Sequence, residues 1–141
     1  MLAEKLTKSA FKHIEGEIAA YHDTKKEIAK LRNEIMNPVG FADENVGGGK
    51  SNLPGDPTAN RAISLATHKK LSHLETVTNA IEMVYNRLPE HKKKLINLYY
   101  WTTPQTLTWE GIAQKMHISR RQALNWRNEI ICYIGDIMGW R

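Results

Sequence analysis

The sequence predicts an all-α protein: a long N-terminal helix, a glycine-rich hinge, a second long helix and a C-terminal helix-turn-helix module. Three observations carry that expectation. Apolar residues recur at steps of three, four and seven along most of the chain, the period of one helix face. No stretch shows the alternating period of a strand, and there is no internal repeat. Proline and glycine gather at a few points and divide the pattern into helix-sized pieces.

The first element is expected over residues 5–36. Phe11, Ile14, Ile18, Tyr21, Ile28, Leu31 and Ile35 form its stripe, interrupted at Lys25. A helix of that length spans roughly 45 Å at 1.5 Å per residue. Asn37-Pro38 ends it, because the residue before a proline disfavours helix. Two coverings of the stripe stand open: packing on the chain's own domain, or pairing with a second chain as a coiled-coil-like arm.

Residues 37–57, "NPVGFADENVGGGKSNLPGDP", hold five of the nine glycines and three of the five prolines, the composition of a linker or exposed loop. "GGGKS" invites a phosphate-loop reading and fails it: the motif needs a glycine five places before Gly49, where Glu44 stands, and a strand in front.

The second long helix is expected over 58–87, with Thr58 as a plausible N-cap. Its stripe is Ala62, Leu65, Leu71, Leu74, Val77, Ile81 and Val84. Leu88-Pro89 punctuates. A third helix follows over 89–101, with the proline in its first turn and Glu90 beside it. Leu95, Ile96, Leu98, Tyr99 and Trp101 supply its buried side.

Residues 108–138 read as two helices with a tight turn. Thr108 caps "WEGIAQKM", "HIS" makes the turn, and Ser119 opens "RRQALNWRNEIICYIGDIM". Ser119 with Gln122 fits a capping box, in which each side chain satisfies a backbone N–H of the first turn. Ile112, Ala113, Met116, Ile118, Ala123, Trp126 and Ile130 have the apolar spacing of a helix-turn-helix. His117 departs from it, since that turn usually takes glycine for a left-handed backbone.

At about 100° per residue, Ala123, Trp126, Ile130, Ile134 and Ile137 gather on one side of the last helix. Arg121, Asn125 and Asn128 fall opposite, flanked by Arg120 and Gln122. In a helix-turn-helix the N-terminal part of the second helix enters the major groove. Arginine bonds guanine O6 and N7 together, and asparagine or glutamine does the same for adenine N6 and N7. A face meant only for water more usually carries Glu and Lys, which favour helix over Asn. The expected DNA contacts are therefore Ser119, Arg120, Arg121, Gln122, Asn125 and Asn128, with Thr108 and Lys115 on the preceding helix. The "KKK" at 92–94 is a candidate phosphate contact or a solvated face.

Charge agrees with that placement. Residues 1–56 hold 8 Lys/Arg and 9 Asp/Glu, whereas residues 57–141 hold 12 and 6. The positive charge thus sits with the helix-turn-helix, as an electrostatic footprint would. Other chemistries find no support. Cys132 is the only cysteine, so no intrachain disulfide forms, and a reducing compartment is the natural home. The six histidines are scattered, and His68 and His73 do not align on a helix, so no metal constellation stands out. No nucleophile has a base at recognisable spacing and no acidic pair stands out, so neither an enzyme nor a cofactor is expected. No run approaches the roughly 18 apolar residues of a membrane span.

Two resemblances add to this. "LPEHKKKLINLYYWTTPQTLTWEGIAQKMHISRRQALNWRNEI" resembles region four of bacterial sigma factors, the module that reads the −35 promoter element. The chain as a whole resembles the RinA/ArpU-type phage transcriptional regulators, through "TKSAFKHIEGEIAAYHDTKKEIAKLRNEI", "ENVGGGKSN" followed by "DPT", and "ISRRQALNWRNEI". The resemblance implies an activator of late, packaging-gene transcription in phages of low-GC Gram-positive bacteria, working in the host cytoplasm. Its partners would be double-stranded promoter DNA and host RNA polymerase. The division expected is a helical arm at 1–37, a linker at 38–57 and a DNA-binding domain at 58–141, with a homodimer formed through the N-terminal helix. Two alternatives stay open: a small-terminase-like packaging protein, which would form a ring, and a polymerase-binding module that does not read DNA.

Overall fold

The computed structural model describes residues 6–37 and 57–140. Within them lie six helices: α1 (Lys8–Ala19), α2 (Tyr21–Met36), α3 (Pro57–Arg87), α4 (Glu90–Tyr99), α5 (Trp109–Met116) and α6 (Arg120–Met138). No described residue is in a strand, so the fold is all-α. Of the glycine-rich linker expected at 38–57, residues 38–56 lie outside the described residues, and Pro57 begins α3. The chain divides into two compact units, Met1–Tyr21 with Val77–Arg141, and His22–Thr76. Neither edge of this division falls at residue 37.

The first unit holds the main core. Ile14 and Ile18 of α1, Ile81 of α3, Leu95 and Ile96 of α4, Ile112 of α5 and Ile130, Ile131 and Ile134 of α6 are all within 2% of full burial. Such residues each contribute about 1.5–3 kcal/mol by leaving water. Leu6 and α1 pack closely over Gly135 of α6: a Cβ placed there would stand 2.9 Å from Leu6 Cδ2 and 3.4 Å from Ile14 Cδ1.

The single long helix expected over 5–36 is instead interrupted at Ala20, whose φ and ψ are −88° and 3°. Its N–H still bonds the Gly16 carbonyl at 3.0 Å. Trp101 supplies the local cause: its indole Nε1 donates to the Ile18 carbonyl at 2.9 Å, while its ring lies 5.2 Å from that of Tyr21. A side chain that takes a carbonyl of the ladder is a recognised reason for a helix to bend or stop.

In the second unit, Ile28 and Leu31 of α2 are buried, and Leu71 and Leu74 of α3 are half-buried. Arg32 Nε donates to Glu75 at 3.0 Å and Lys70 Nζ to Glu27 at 3.4 Å, tying α2 to the first part of α3. The expected stripe of α3 runs too far toward its start. Val77, Ile81 and Val84 are buried, but Ala62 is exposed and Leu65 keeps 65% of its surface. No helix among the described residues is long and apolar enough to cross a membrane.

Two local devices set the ends of α4. Glu90 in its first turn complements the positive helix end, and Pro89 stands one place outside as the cap. At the far end Gln105 Nε2 donates to the carbonyls of Leu98 (3.0 Å) and Tyr99, and its Oε1 accepts from Leu107 N at 2.7 Å. The loop carrying Gln105 thereby closes the orphan carbonyls of α4 and delivers the chain to α5.

Candidate nucleic-acid interface

The candidate site is built on α5, a three-residue turn and α6. Thr108 Oγ1 accepts from Gly111 N at 3.1 Å and starts α5. Ser119 Oγ accepts from Gln122 N at 3.0 Å and starts α6. Each hydroxyl spends an acceptor on its helix and keeps its proton to donate elsewhere. Both helices begin and end where the sequence places them.

The turn is a Schellman closure. His117 N bonds the Gln114 carbonyl at 3.2 Å and Ile118 N bonds the Ala113 carbonyl at 3.0 Å. That requires His117 to be left-handed, and its φ is 60° and ψ 41°. A histidine does here what glycine usually does, and the departure noted in the sequence leaves the geometry intact. Ile118 turns inward to pack on the core with Met116. Ala113 (3% exposed) and Ala123 (0%) are buried, small residues where a larger side chain would push the two helices apart.

The outer face of α6 follows. Arg120, Arg121, Gln122, Asn125 and Asn128 are all exposed, and Arg121, Asn125 and Asn128 share one face at i, i+4 and i+7. Thr108, the N-cap of α5, and Lys115, within it, are exposed as well. Lys115 lies in the last turn of α5, where a cation suits the negative helix end. Arg120, Arg121 and Lys115 form no ion pair with any described residue. Glu129, the acid nearest along α6, is instead taken by Lys92 at 2.7 Å. Of the lysine run, Lys92 is spent on that pair and Lys93 lies 3.5 Å from Glu90, while Lys94 is exposed.

Two expectations on α6 need correction. Trp126 is half-buried rather than in the core, and its ring lies 4.4 Å from that of His91. Ile137 keeps 44% of its surface, because the core face of α6 is centred on Ala123, Ile130, Ile131 and Ile134.

Arg127 was not among the residues singled out by the sequence, and the structure makes it the hub behind the face. Its guanidinium lies 5.0 Å from the Phe11 ring centroid and 5.4 Å from that of Trp109. Its Nη1 is 3.7 Å from Glu15 Oε2, which also accepts from the Tyr100 hydroxyl at 2.6 Å. Its Nε donates to Asn128 Oδ1 at 3.0 Å. Burial first, then the bond to the Glu15 carboxylate and that carboxylate's charge, push the Tyr100 hydroxyl well above its ordinary range, so it stays a donor. No spacing rule could find this group, since its members come from three helices and the cap of a fourth.

Among the described residues no cluster of His, Cys, Asp or Glu could hold a metal ion. The N-terminal stripe expected to seek a second chain is largely covered within its own: Ile14, Ile18, Ile28 and Leu31 are buried and Phe11 lies under Arg127.

Residues 18–135 match the model of a family described as a protein of unknown function, DUF722. The transcriptional activator rinA of Staphylococcus phage phi11 is 24% identical over 131 residues, which cover 93% of this chain and 91% of that protein. No solved structure matches.

Proposed function

The chain belongs to the DUF722 family, and we propose that it is a phage transcriptional activator that binds double-stranded DNA through α5, the His117 turn and α6. The observation that carries this is the outer face of α6: cations and carboxamides aligned at helical spacing, exposed, with no acid among the described residues engaging Arg120 or Arg121. The likeness to a transcriptional activator over nearly the whole chain supports the regulatory part. In this reading the two helices act as a helix-turn-helix of the sigma-region-four kind. Arg121 and Asn125 meet base edges in the major groove, Arg120, Gln122 and Asn128 flank them, and Ser119, Thr108 and Lys115 donate to phosphates. The targets are late packaging and morphogenesis genes, host RNA polymerase is the second partner, and no chemical step is catalysed.

The test is footprinting of the purified chain on DNA around its own gene and the genes downstream, followed by binding of Arg121→Ala. Loss of one bidentate base contact costs about 1–3 kcal/mol of discrimination. Sequence preference should therefore flatten more than non-specific binding falls. An equal fall on all sequences would make Arg121 a phosphate contact. No protected site at low salt, together with retention of polymerase, would replace DNA reading by a polymerase-binding role.

A further inference from the structure

We propose that Arg127 is a positioning residue that fixes the carboxamide of Asn128 on the outer face of α6, and that α1 holds Arg127 in place to do so. The inference rests on the DNA-reading role proposed above for that face.

Arginine has only donors. The Asn128 atom that faces Arg127 Nε at 3.0 Å is therefore its oxygen, whichever way an isolated carboxamide would turn. That bond commits one lone pair of Oδ1. The remaining capacity of Asn128 is weighted toward its two N–H groups, which suits an acceptor such as a phosphate oxygen, guanine N7 or O6, or thymine O4. An exposed asparagine without such a partner would rotate freely and lose that freedom on binding, at an entropic cost.

Arg127 can serve as the fixed point because it is itself restrained. Its side chain is 22% exposed, against the rings of Phe11 and Trp109 and beside Glu15. Glu15 is in turn held by the Tyr100 hydroxyl at 2.6 Å. Phe11 and Glu15 belong to α1, Trp109 to α5 and Tyr100 caps α4. α1 thus contributes two groups and α5 one that limit where the guanidinium sits, and the cap of α4 acts through Glu15. A lysine in its place would keep the charge but lose the Nε donor and the planar fork.

The experiment uses the full chain with Arg127→Lys, Asn128→Ala, the double variant and Glu15→Gln. Two readouts are taken: the side-chain amide resonances of Asn128 in the free protein, and the ratio of affinity for the footprinted site to that for a scrambled duplex. Arg127→Lys should shift and average the Asn128 resonances and lower the ratio about five-fold, a coupling ordinary for residues in contact. The double variant should bind no worse than Asn128→Ala alone. Should Arg127→Lys fail to fold, Glu15→Gln should produce the same changes in smaller degree. Unmoved Asn128 resonances, or effects that multiply in the double variant, overturn the proposal. A wild-type ratio near one would instead defeat the DNA-reading role, while the resonance test of positioning would still stand.

Discussion

The hydroxyl of Tyr100 illustrates how single groups hold the site's scaffold. Its bond to Glu15 is charge-assisted, and Glu15 also anchors Arg127. Tyr100→Phe should cost about 1.5–3 kcal/mol, the range for a hydrogen bond to a charged group. The same bond gives the protein an alkaline limit. Folding raises the Tyr100 pKa above its ordinary value of 10.0, and Tyr21 is raised likewise by burial and by Glu82. A raised pKa means the folded chain holds the proton more tightly than the unfolded one. The associated stability is complete below about pH 10 and is lost as pH rises above it. Melting temperatures between about pH 9 and 11 should fall more steeply for the wild type than for Tyr100→Phe. Equal slopes would show that the hydroxyl is not linked to folding. Trp126 makes the opposite case. Half-buried beside His91, it should lose about 2 kcal/mol on replacement by Ala, less than the roughly 3–5 of a fully buried tryptophan. A loss within the higher range would restore it to the core.

At the scale of elements, the helices that matter for the site were legible because their ends carry chemistry. Thr108 and Ser119 mark starts through their hydroxyls and Pro89 through its fixed backbone angle, and α5 and α6 lie where the hydroxyl caps imply. The break at Ala20 was not legible: alanine favours helix, and Trp101, which bonds the adjacent turn, is distant in sequence. Exposure of Ala62 and Leu65 was hidden for a similar reason, since periodicity says which residues share a face and not how far along a helix that face is covered. The turn yields a prediction of its own. His117 is the one described non-glycine residue with positive φ, and glycine relieves the clash of Cβ in that region. His117→Gly should leave stability unchanged or raise it by up to about 1 kcal/mol. Ser119→Ala should lower it by about 1 kcal/mol through loss of the cap. If thermal melts showed His117→Gly clearly destabilised, the histidine ring would be making a contact that the backbone account omits.

For the molecule as a whole, the decisive question is what α1 is for. Read as an arm, residues 1–37 would leave a self-sufficient basic domain behind the hinge, and a chain starting at Ser51 would stay folded. The compact unit that carries the candidate interface has a different make-up, because it includes Met1–Tyr21. Ile14 is 1% exposed and Ile18 0%, Leu6 and Ile14 close over Gly135 of α6, and Trp101 bonds the end of α1. Removing α1 would take Ile14 and Ile18 out of the core that Ile131 and Ile134 share, and strip Arg127 of both Phe11 and Glu15. A single cavity made by Ile18→Ala should already cost about 2–5 kcal/mol, a large share of the roughly 5–15 kcal/mol that holds a domain together. The chain starting at Ser51 loses several such residues at once and should show no cooperative melt, with broadened methyl resonances and exposed apolar surface. Restoring the helix as a separate peptide spanning residues 1–21 should recover part of the transition, because α1 would bind the surface it left. A truncated chain that melts cooperatively near the wild-type temperature would show that α1 is dispensable to the fold, and its stripe would again need a partner outside the chain.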